Sequence, residues 1–348
     1  MREARLSSLD AVRGLAAFSV AVPHYFLFRG SDNKILEFMS VVAVEVFFVL
    51  SGVVLAAQLT HCVETGSFRD VKVFYIRRWM RTLPPFIIVL LGMAILTGNV
   101  FSGDFFAYLF FVRNFERVRE ANDFFMVAWS LAVEEWFYFI FPVFLVLVTR
   151  RAPAVVAGVA FLVLFLIAKI VTMVFFPEIF AMGRRVILLR MDSICVGFLL
   201  SFVLMRLAGS RLALAFAVAP LCLVSFLLTW WASQVGSVIV YAYAAPVFAG
   251  CLITLAVGAE PLFARSWIAA FAAFLASISY MVYLSHTILI TVISPRLAGT
   301  NEWAQFAIYL VTLVAFCWAS YAYMESRILK ARPKYPGVRA AKLETVPA

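Results

Sequence analysis

Long runs of hydrophobic residues alternate with short polar segments along almost the entire chain. Each run has about 20 residues or more, the length of α-helix that crosses a hydrocarbon core about 30 Å thick. Ten such runs occupy residues 8–29, 37–60, 73–97, 129–149, 153–176, 187–207, 211–231, 237–258, 267–294 and 303–325. The pattern therefore predicts an all-α, polytopic membrane protein with about ten transmembrane helices.

The segment 104–128, between the third and fourth runs, does not fit this pattern. Only the stretch from Phe105 to Val112 is apolar, which is too short to cross a membrane as a helix. We expect a re-entrant or interfacial helix in this segment rather than an eleventh span.

The composition agrees with a membrane protein, since 65% of the 348 residues are hydrophobic and 14% are charged. A soluble domain is about half apolar and a quarter charged. We therefore expect residues 1–330 to form one membrane domain, followed by a basic tail at 331–348. The five cysteines show no CxxC or Cys/His spacing, so we expect neither a disulfide nor a metal site.

The net charge of +10 is distributed as in a membrane protein rather than a nucleic-acid-binding protein. One set of loops and the two ends of the chain contain Arg2, Arg5, Arg69, Lys72, Arg77, Arg78, Arg81, Arg150, Arg151, Arg206, Arg211, Arg265, Arg327, Lys330, Arg332, Lys334, Arg339 and Lys342. The opposite loops contain fewer basic residues, mainly Arg29, Lys34, Arg113, Arg117, Arg119, Arg184, Arg185 and Arg296. Because cytoplasmic loops are enriched in Lys and Arg, we expect both termini in the cytoplasm.

Ionisable residues inside the first apolar run indicate a polar site within the bundle, because such groups need a partner or water. Arg13 and His24 are eleven residues apart, three helical turns to within about 20°, so they share a face and lie about 16 Å apart along the axis. Asp10, one turn before Arg13, can pair with it. This face suits a long ligand that extends outward from the cytoplasm. The alternative is that His24 is only a helix-end histidine beside Pro23.

The fourth run opens with WSLAVEEWFYFIFP at residues 129–142. Ser130 and Glu134 lie one turn apart on one helix face, and we expect them at the depth of His24. A carboxylate beside a histidine can orient the ring and stabilise its protonated form. We count Trp129 among the residues that line the cavity.

Two further segments carry candidate binding residues. In FYIRRWMRTLPPF, at 74–86, Arg78 and Arg81 face the same way, and arginine binds phosphate groups in a bidentate manner. A simple anchor at the cytoplasmic surface is the alternative. In SISYMVYLSH, at 277–286, Tyr283 and His286 share a face with Ser279. They are candidate cavity residues, with helix packing and a satisfied core histidine as alternatives.

Four more ionisable residues lie at membrane depth. We expect Arg190 and Asp192 to pair with each other and to line the cavity. For Glu45 and Lys169 we expect structural ion pairs between helices.

Six segments, in order, resemble the acyltransferase-3 family of membrane acyltransferases. They are LDAVRG with the following His24, VEVFFVLSGVVLA, RRWMRTLPP, WSLAVEEWFYFIFP, LRMDSICVG and SISYMVYLSH. The resemblance covers nearly the whole chain and implies about ten membrane helices, an acyl-CoA donor and O-acylation of glycans or related molecules. It also implies functional roles for Arg13, His24, Arg78, Arg81, Ser130 and Glu134.

The chain departs from the family pattern at two positions. Many members have Asp or Gly near the place of Glu45, and many end the last helix with Glu-x-Pro where this chain has Glu325, Ser326 and Arg327. We therefore give Glu325 no site role. Many relatives also carry a C-terminal SGNH domain, which this sequence lacks, so we expect the membrane domain to complete the transfer.

Together these features predict an enzyme of the bacterial inner membrane. It would move an acyl group, with acetyl as the favoured candidate, from cytoplasmic acyl-CoA to a hydroxyl of a cell-surface or exported carbohydrate. Arg13, Arg78 and Arg81 would bind acetyl-CoA. His24 would act as general base or acyl-carrying nucleophile, with Glu134 orienting it.

In this scheme Ser130 positions the acceptor or stabilises the oxyanion. The expected partners are a glycan or lipid-linked oligosaccharide acceptor and membrane lipid, with no nucleic acid. A transporter or flippase of a glycan is the alternative function, although we find no paired broken helices or inverted repeats. The acceptor, the acyl chain, the side of acceptor loading and the oligomeric state stay open.

Overall fold

The computed structural model describes residues 6–115, 118, 123–297 and 299–335, and the regular structure within them is helical without strands. The helices are α1 (Ser7–Leu27), α2 (Lys34–Thr65), α3 (Phe68–Thr97), α4 (Gly103–Leu109), α5 (Ala128–Thr149), α6 (Ala154–Phe175), α7 (Pro177–Ala181), α8 (Met191–Arg206), α9 (Arg211–Val235), α10 (Val238–Gly258), α11 (Glu260–Phe263), α12 (Ser266–Arg296), α13 (Glu302–Ser320) and α14 (Ser326–Lys330). A π-helical turn, Tyr321–Glu325, joins α13 to α14. The predicted all-α membrane bundle is confirmed.

Nine segments in the described part of the chain are long and apolar enough to cross a membrane. They are α2, α3, α5, α6, α8 with the preceding turn Ile187–Leu189, α9, α10, α12 and the continuous segment from α13 to α14. The first of the ten predicted spans corresponds to α1, a 21-residue helix that packs against α2 and α12. Its polar residues, Asp10, Arg13 and His24, make α1 less apolar than the other nine.

The described part of the segment 104–128 contains only the seven-residue helix α4 before α5 begins. The side chain of Ser102 accepts a hydrogen bond from the Phe105 amide at 3.0 Å and so defines where α4 begins. The expectation of no eleventh span holds for the residues described here.

Helices α2 and α8 pack unusually closely because each has a glycine at their contact. A β-carbon on Gly52 would lie 1.9 Å from the carbonyl oxygen of Ile194, and one on Gly197 would lie 1.8 Å from that of Val49. Small residues allow this approach of two backbones in membrane helices. The contact brings Arg190, directly before α8, to Glu45 of α2.

Helices α1 and α12 run parallel to each other. Gly14 faces Leu275 near their beginnings, and His24 contacts His286 further along. We call the end of the bundle where α1 begins the N-terminal face and the other end the opposite face. The Ser7 amide, at the N-terminal face, donates to the Glu260 carboxylate at 2.9 Å.

The beginning of the predicted tail packs against α3. The Arg77 guanidinium donates to the Pro333 carbonyl at 2.7 Å and lies over the Tyr335 ring at 5.4 Å. Tyr335 is buried. Residues 333–335 are therefore part of the packed domain, while 336–348 lie outside the described residues.

Candidate functional site

The first of two neighbouring cavities lies among α1, α2, α3, α5 and α12, and we call it the arginine cavity. It has a volume of about 70 Å³, and its polar lining includes Arg13, Arg78, Arg81, Ser130, Glu134 and Tyr283. Arg78 and Arg81 face the same space, as predicted from their spacing. Three guanidinium groups and one carboxylate in this lining make its surface cationic.

Contacts with α5 hold the Arg78 side chain in place, and a residue of α2 supports its partner Glu134. The Arg78 guanidinium is 3.9 Å from the Glu134 carboxylate and lies over the Tyr138 ring at 4.2 Å. Glu134 also accepts hydrogen bonds from Ser51 at 2.9 Å and from Tyr138 at 3.0 Å. These contacts fix the positions of charged groups that would otherwise be costly inside a membrane.

Two further carboxylates are charged neighbours of arginines in the arginine cavity without lining it themselves. Asp10, buried in the first turn of α1, is a charged neighbour of Arg13, as predicted. We expected Asp10 at the cavity wall, but it is not among the residues that line the arginine cavity. Glu325 is a charged neighbour of Arg81, a proximity that the sequence did not predict.

The second cavity, which we call the histidine cavity, lies on the side of the opposite face. It has a volume of about 250 Å³, and its lining includes His24, Glu45, Trp129, Arg184, Arg185 and Tyr283. Trp129 and Tyr283 therefore line a cavity, as predicted. Tyr283 lines both cavities, so the two cavities are adjacent at this side chain.

The structure pairs His24 with His286. The His24 Nδ1 atom is 2.8 Å from His286 Nε2, and His286 Nδ1 is 3.2 Å from the Val282 carbonyl oxygen. A carbonyl only accepts, so His286 carries its proton on Nδ1 and offers Nε2 as an acceptor. His24 then donates from Nδ1, which leaves the lone pair of its Nε2 available to accept a proton.

Two sequence-based expectations about this pair are wrong. His286 is completely buried and lies behind His24 instead of at the cavity wall. Glu134 does not contact His24, because its partners are Ser51, Tyr138 and Arg78. The partner of the His24 Nδ1 atom is thus a second histidine instead of a carboxylate.

Ser130 and Tyr283 form a hydroxyl pair where the two cavities meet. Their hydroxyl oxygens are 2.5 Å apart. Both also lie within hydrogen-bonding distance of the Val127 carbonyl, at 3.2 Å for Ser130 and 3.1 Å for Tyr283. The pair is therefore positioned by the backbone just before α5 begins.

The expected pairing of Arg190 with Asp192 is wrong. Arg190 forms its ion pair with Glu45, and Asp192 pairs with Lys169 at 2.5 Å. Both Arg190 and Asp192 are buried, and of these four residues Glu45 is the one that lines the histidine cavity. The structural ion pairs expected for Glu45 and Lys169 are confirmed.

Several residues at the site were not among the sequence-based candidates. Ser51 and Tyr138 bind Glu134, and Arg184 and Arg185 line the histidine cavity. Tyr138 could have been recognised because it lies one turn after Glu134 on the same helix face. The two arginines showed no such signal, since they precede α8 in a short irregular segment.

Comparisons with known proteins connect this geometry to a family. A family model described as an acyltransferase domain matches residues 6–322. A protein of Staphylococcus aureus strain COL, provisionally named an O-acetyltransferase, is 30% identical over 156 residues, which are 40% of this chain and 25% of the relative. No solved structure matches.

Two further relatives match a similar length of the chain. The peptidoglycan O-acetyltransferase of Listeria monocytogenes is 30% identical over 155 residues, 40% of this chain and 24% of the relative. A Bacillus subtilis protein provisionally named a peptidoglycan O-acetyltransferase is 27% identical over 157 residues, again 40% and 24%. The chain thus spans about a quarter of the length of these relatives.

Proposed function

Because the chain belongs to the acyltransferase-3 family, we propose that it is a membrane O-acyltransferase that moves an acyl group from acyl-CoA to a carbohydrate hydroxyl. The observation that carries this proposal is the meeting of the arginine cavity and the histidine cavity at Tyr283. An anionic acyl donor and a hydroxyl acceptor can approach each other there from two sides. The names of the relatives favour acetyl as the acyl group and a glycan as the acceptor.

The arginine cavity is the donor site of this proposal. Arginine forms bidentate hydrogen bonds with phosphate groups, so Arg13, Arg78 and Arg81 bind the phosphates of acetyl-CoA. The thioester arm then extends about 16 Å along α1, the axial distance from Arg13 to His24. Since acetyl-CoA is made in the cytoplasm, the N-terminal face is cytoplasmic, in agreement with the distribution of basic residues.

In the transfer step His24 acts as general base on the acceptor hydroxyl. Its Nε2 takes the hydroxyl proton while the hydroxyl oxygen forms a bond to the thioester carbonyl carbon. The tetrahedral intermediate collapses, the carbon–sulfur bond breaks, and the leaving thiolate receives the proton from His24. The products are the acyl ester and free coenzyme A, and the enzyme returns to its starting state.

The groups around His24 prepare this step. His286 keeps the His24 proton on Nδ1, so it is a positioning residue and does not contact the substrate. Ser130 and Tyr283 lie where the thioester meets the acceptor, and one of their hydroxyl protons turns from the Val127 carbonyl toward the oxyanion. Glu134 acts at the donor site, where it holds Arg78.

The remaining features of the proposal concern location and acceptor. The enzyme resides in the bacterial inner membrane, with residues 1–330 as its acyltransferase domain. The acceptor is a glycan or lipid-linked oligosaccharide that enters the histidine cavity from the opposite face. An acyl group other than acetyl would use the same two cavities.

The test uses the purified chain in lipid nanodiscs and cells that lack it. We expect wild type to convert acetyl-CoA to coenzyme A when an acceptor glycan is present, and mass spectrometry of cell glycans to show acetyl esters. His24→Ala should abolish both results. His61→Ala is the matched control, since His61 lies far from the histidine cavity and contacts Asp70 and Tyr335.

Two outcomes would contradict the proposal. One is a folded His24→Ala enzyme that binds acetyl-CoA and still acylates at the wild-type rate. The other is movement of a glycan across the membrane without any turnover of acetyl-CoA, which would favour a transporter.

A further inference from the structure

A second, larger space lies beside the histidine cavity. This side groove has a volume of about 320 Å³, and it shares Glu37, Val41, Arg184 and Arg185 with the histidine cavity. Both arginines belong to the 3₁₀ turn Gly183–Arg185 and are half-buried. These two side chains therefore line both the histidine cavity and the side groove.

The carboxylates that line the two spaces already have basic partners. Glu37 pairs with Lys34 at 3.4 Å, and Glu45 pairs with Arg190. Each carboxylate is thereby neutralised by a residue other than Arg184. The lining therefore keeps a cationic character at the turn Gly183–Arg185.

The two arginines of this turn differ in their partners. The Arg185 guanidinium is 3.9 Å from the Asp123 carboxylate, which Arg113 also approaches at 3.8 Å. Arg184 has no carboxylate partner within the described residues. Yet both arginines are close enough to act electrostatically on the His24 ring.

We propose that Arg184 binds an anionic group, phosphate or carboxylate, on the carbohydrate acceptor and so selects which acceptor hydroxyl reaches His24. This inference rests on the proposed function. The phosphates of the acyl donor have their own cations in the arginine cavity, on the other side of Tyr283. A half-buried guanidinium without a carboxylate partner, beside the proposed general base, is a site for an anion that arrives with the acceptor.

A chemical protection experiment tests the contact without any turnover. Phenylglyoxal, which modifies arginine, is added to the wild-type chain in nanodiscs, and the modification of Arg184 is followed by peptide mass spectrometry. The probes are cellotriose, its glucuronate counterpart and its monophosphate. We expect at least one anionic probe to slow the modification of Arg184 about tenfold, because a hydrogen bond to a charged group contributes about that much to binding. Cellotriose should have no effect.

Arg296 serves as the internal control in the same sample. It is exposed at the opposite face, at the end of α12, where its guanidinium donates a hydrogen bond to the Val292 carbonyl one turn earlier on the same helix. Its modification should be the same with every probe. If neither anionic probe protects Arg184, or if cellotriose protects it equally, the inference is wrong. The anionic probe that protects identifies phosphate or carboxylate as the group recognised.

A kinetic experiment separates this inference from the proposed function. For the anionic probe that protects, we expect wild type to show at least about tenfold higher kcat/KM than for cellotriose. Arg184→Gln should reduce this ratio to near one without changing KM for acetyl-CoA, and Arg296→Gln should leave it unchanged.

Each other kinetic outcome has a distinct meaning. If Arg184→Gln lowers transfer to anionic and neutral probes equally, the inference fails while the proposed function stands. If it instead changes the preference between succinyl-CoA and acetyl-CoA, Arg184 binds a carboxylate of the acyl group and the inference is wrong. If acetyl-CoA turnover needs no glycan and is unaffected by His24→Ala, the proposed function itself fails, whatever the protection experiment shows.

Discussion

The arginine cavity and the histidine cavity share Tyr283 as a wall but hold their polar groups in different ways. In the arginine cavity, Arg78 is held by an ion pair to Glu134 and by the face of Tyr138. In the histidine cavity, His24 is held through His286, whose own proton is fixed by a backbone carbonyl. The first arrangement preserves charge for binding an anion, and the second preserves a lone pair for accepting a proton.

In the proposed function, this difference separates donor binding from chemistry along a single helix, α1. Arg13 belongs to one cavity and His24 to the other. A substitution in the arginine cavity should therefore change KM for acetyl-CoA, and one in the histidine cavity should change kcat. The four predictions below test this separation.

Replacing His24 with alanine should have the largest effect. We expect kcat to fall about 10²–10⁴-fold, as for loss of a general base, while equilibrium binding of acetyl-CoA changes little. Steady-state kinetics and binding of labelled acetyl-CoA in nanodiscs measure the two quantities. A His24→Ala variant that loses acetyl-CoA binding but keeps its kcat would contradict the separation of donor binding from chemistry.

Replacing Arg81 with glutamine should raise KM for acetyl-CoA about tenfold to a hundredfold, since a hydrogen bond to a charged group contributes about 1.5–3 kcal/mol. Arg77→Gln is the matched control, because Arg77 binds Pro333 and Tyr335 outside the cavity. The same kinetic assay compares the two variants. Equal effects of both substitutions would indicate a general loss of surface charge instead of a donor site.

Replacing His286 with phenylalanine should lower kcat about fivefold, by loss of one hydrogen bond, and leave KM for acetyl-CoA unchanged. His286→Gln offers a carbonyl oxygen to the His24 Nδ1 proton and should recover part of the rate. The pH dependence of kcat should shift in the phenylalanine variant and return toward wild type in the glutamine variant. Identical profiles in all three proteins would leave His286 with only a packing role.

Replacing Glu134 with glutamine should have the smallest effect. The amide oxygen can still accept the hydrogen bond from Ser51, the amide nitrogen loses the one from Tyr138, and the lost attraction to Arg78 acts across 3.9 Å. We expect KM for acetyl-CoA to change by less than about fivefold, equivalent to about 1 kcal/mol, with an unchanged pH profile of kcat. A loss of kcat as large as that of His24→Ala would mean that Glu134 acts on His24 after all.

The hydrophobic pattern was sufficient to predict the helices, because crossing a membrane requires a fixed length of apolar residues. It also marked α1 as unusual, since Arg13 and His24 interrupt an otherwise apolar run. Partners on different helices were harder to predict. Arg190 and Asp192 are close in sequence, but residues two apart on a helix do not face each other, and each reaches a different helix.

The error about Glu134 has another origin, which is the relative depth of two helices. The sequence showed that Ser130 and Glu134 share a face but not how α5 is aligned with α1. In the structure Ser130 lies where the cavities meet, and Glu134 lies one turn, about 6 Å, further into the arginine cavity. Likewise, Arg184 reaches the histidine cavity through the path of an irregular turn, which follows no sequence period.

The central claim is that acetyl-CoA binds from the N-terminal face and that its acyl group appears on an acceptor at the opposite face. Membrane vesicles of known orientation, checked by protease access to a tag on the N-terminus, test it directly. Labelled acetyl-CoA is added to one side, and acetyl esters are measured on glycans of the other. We predict label on the far-side glycan only when the N-terminal face meets the donor, with no detectable label for His24→Ala and reduced label for Arg81→Gln at acetyl-CoA concentrations below KM. Labelling that requires acetyl-CoA at the opposite face would contradict the account.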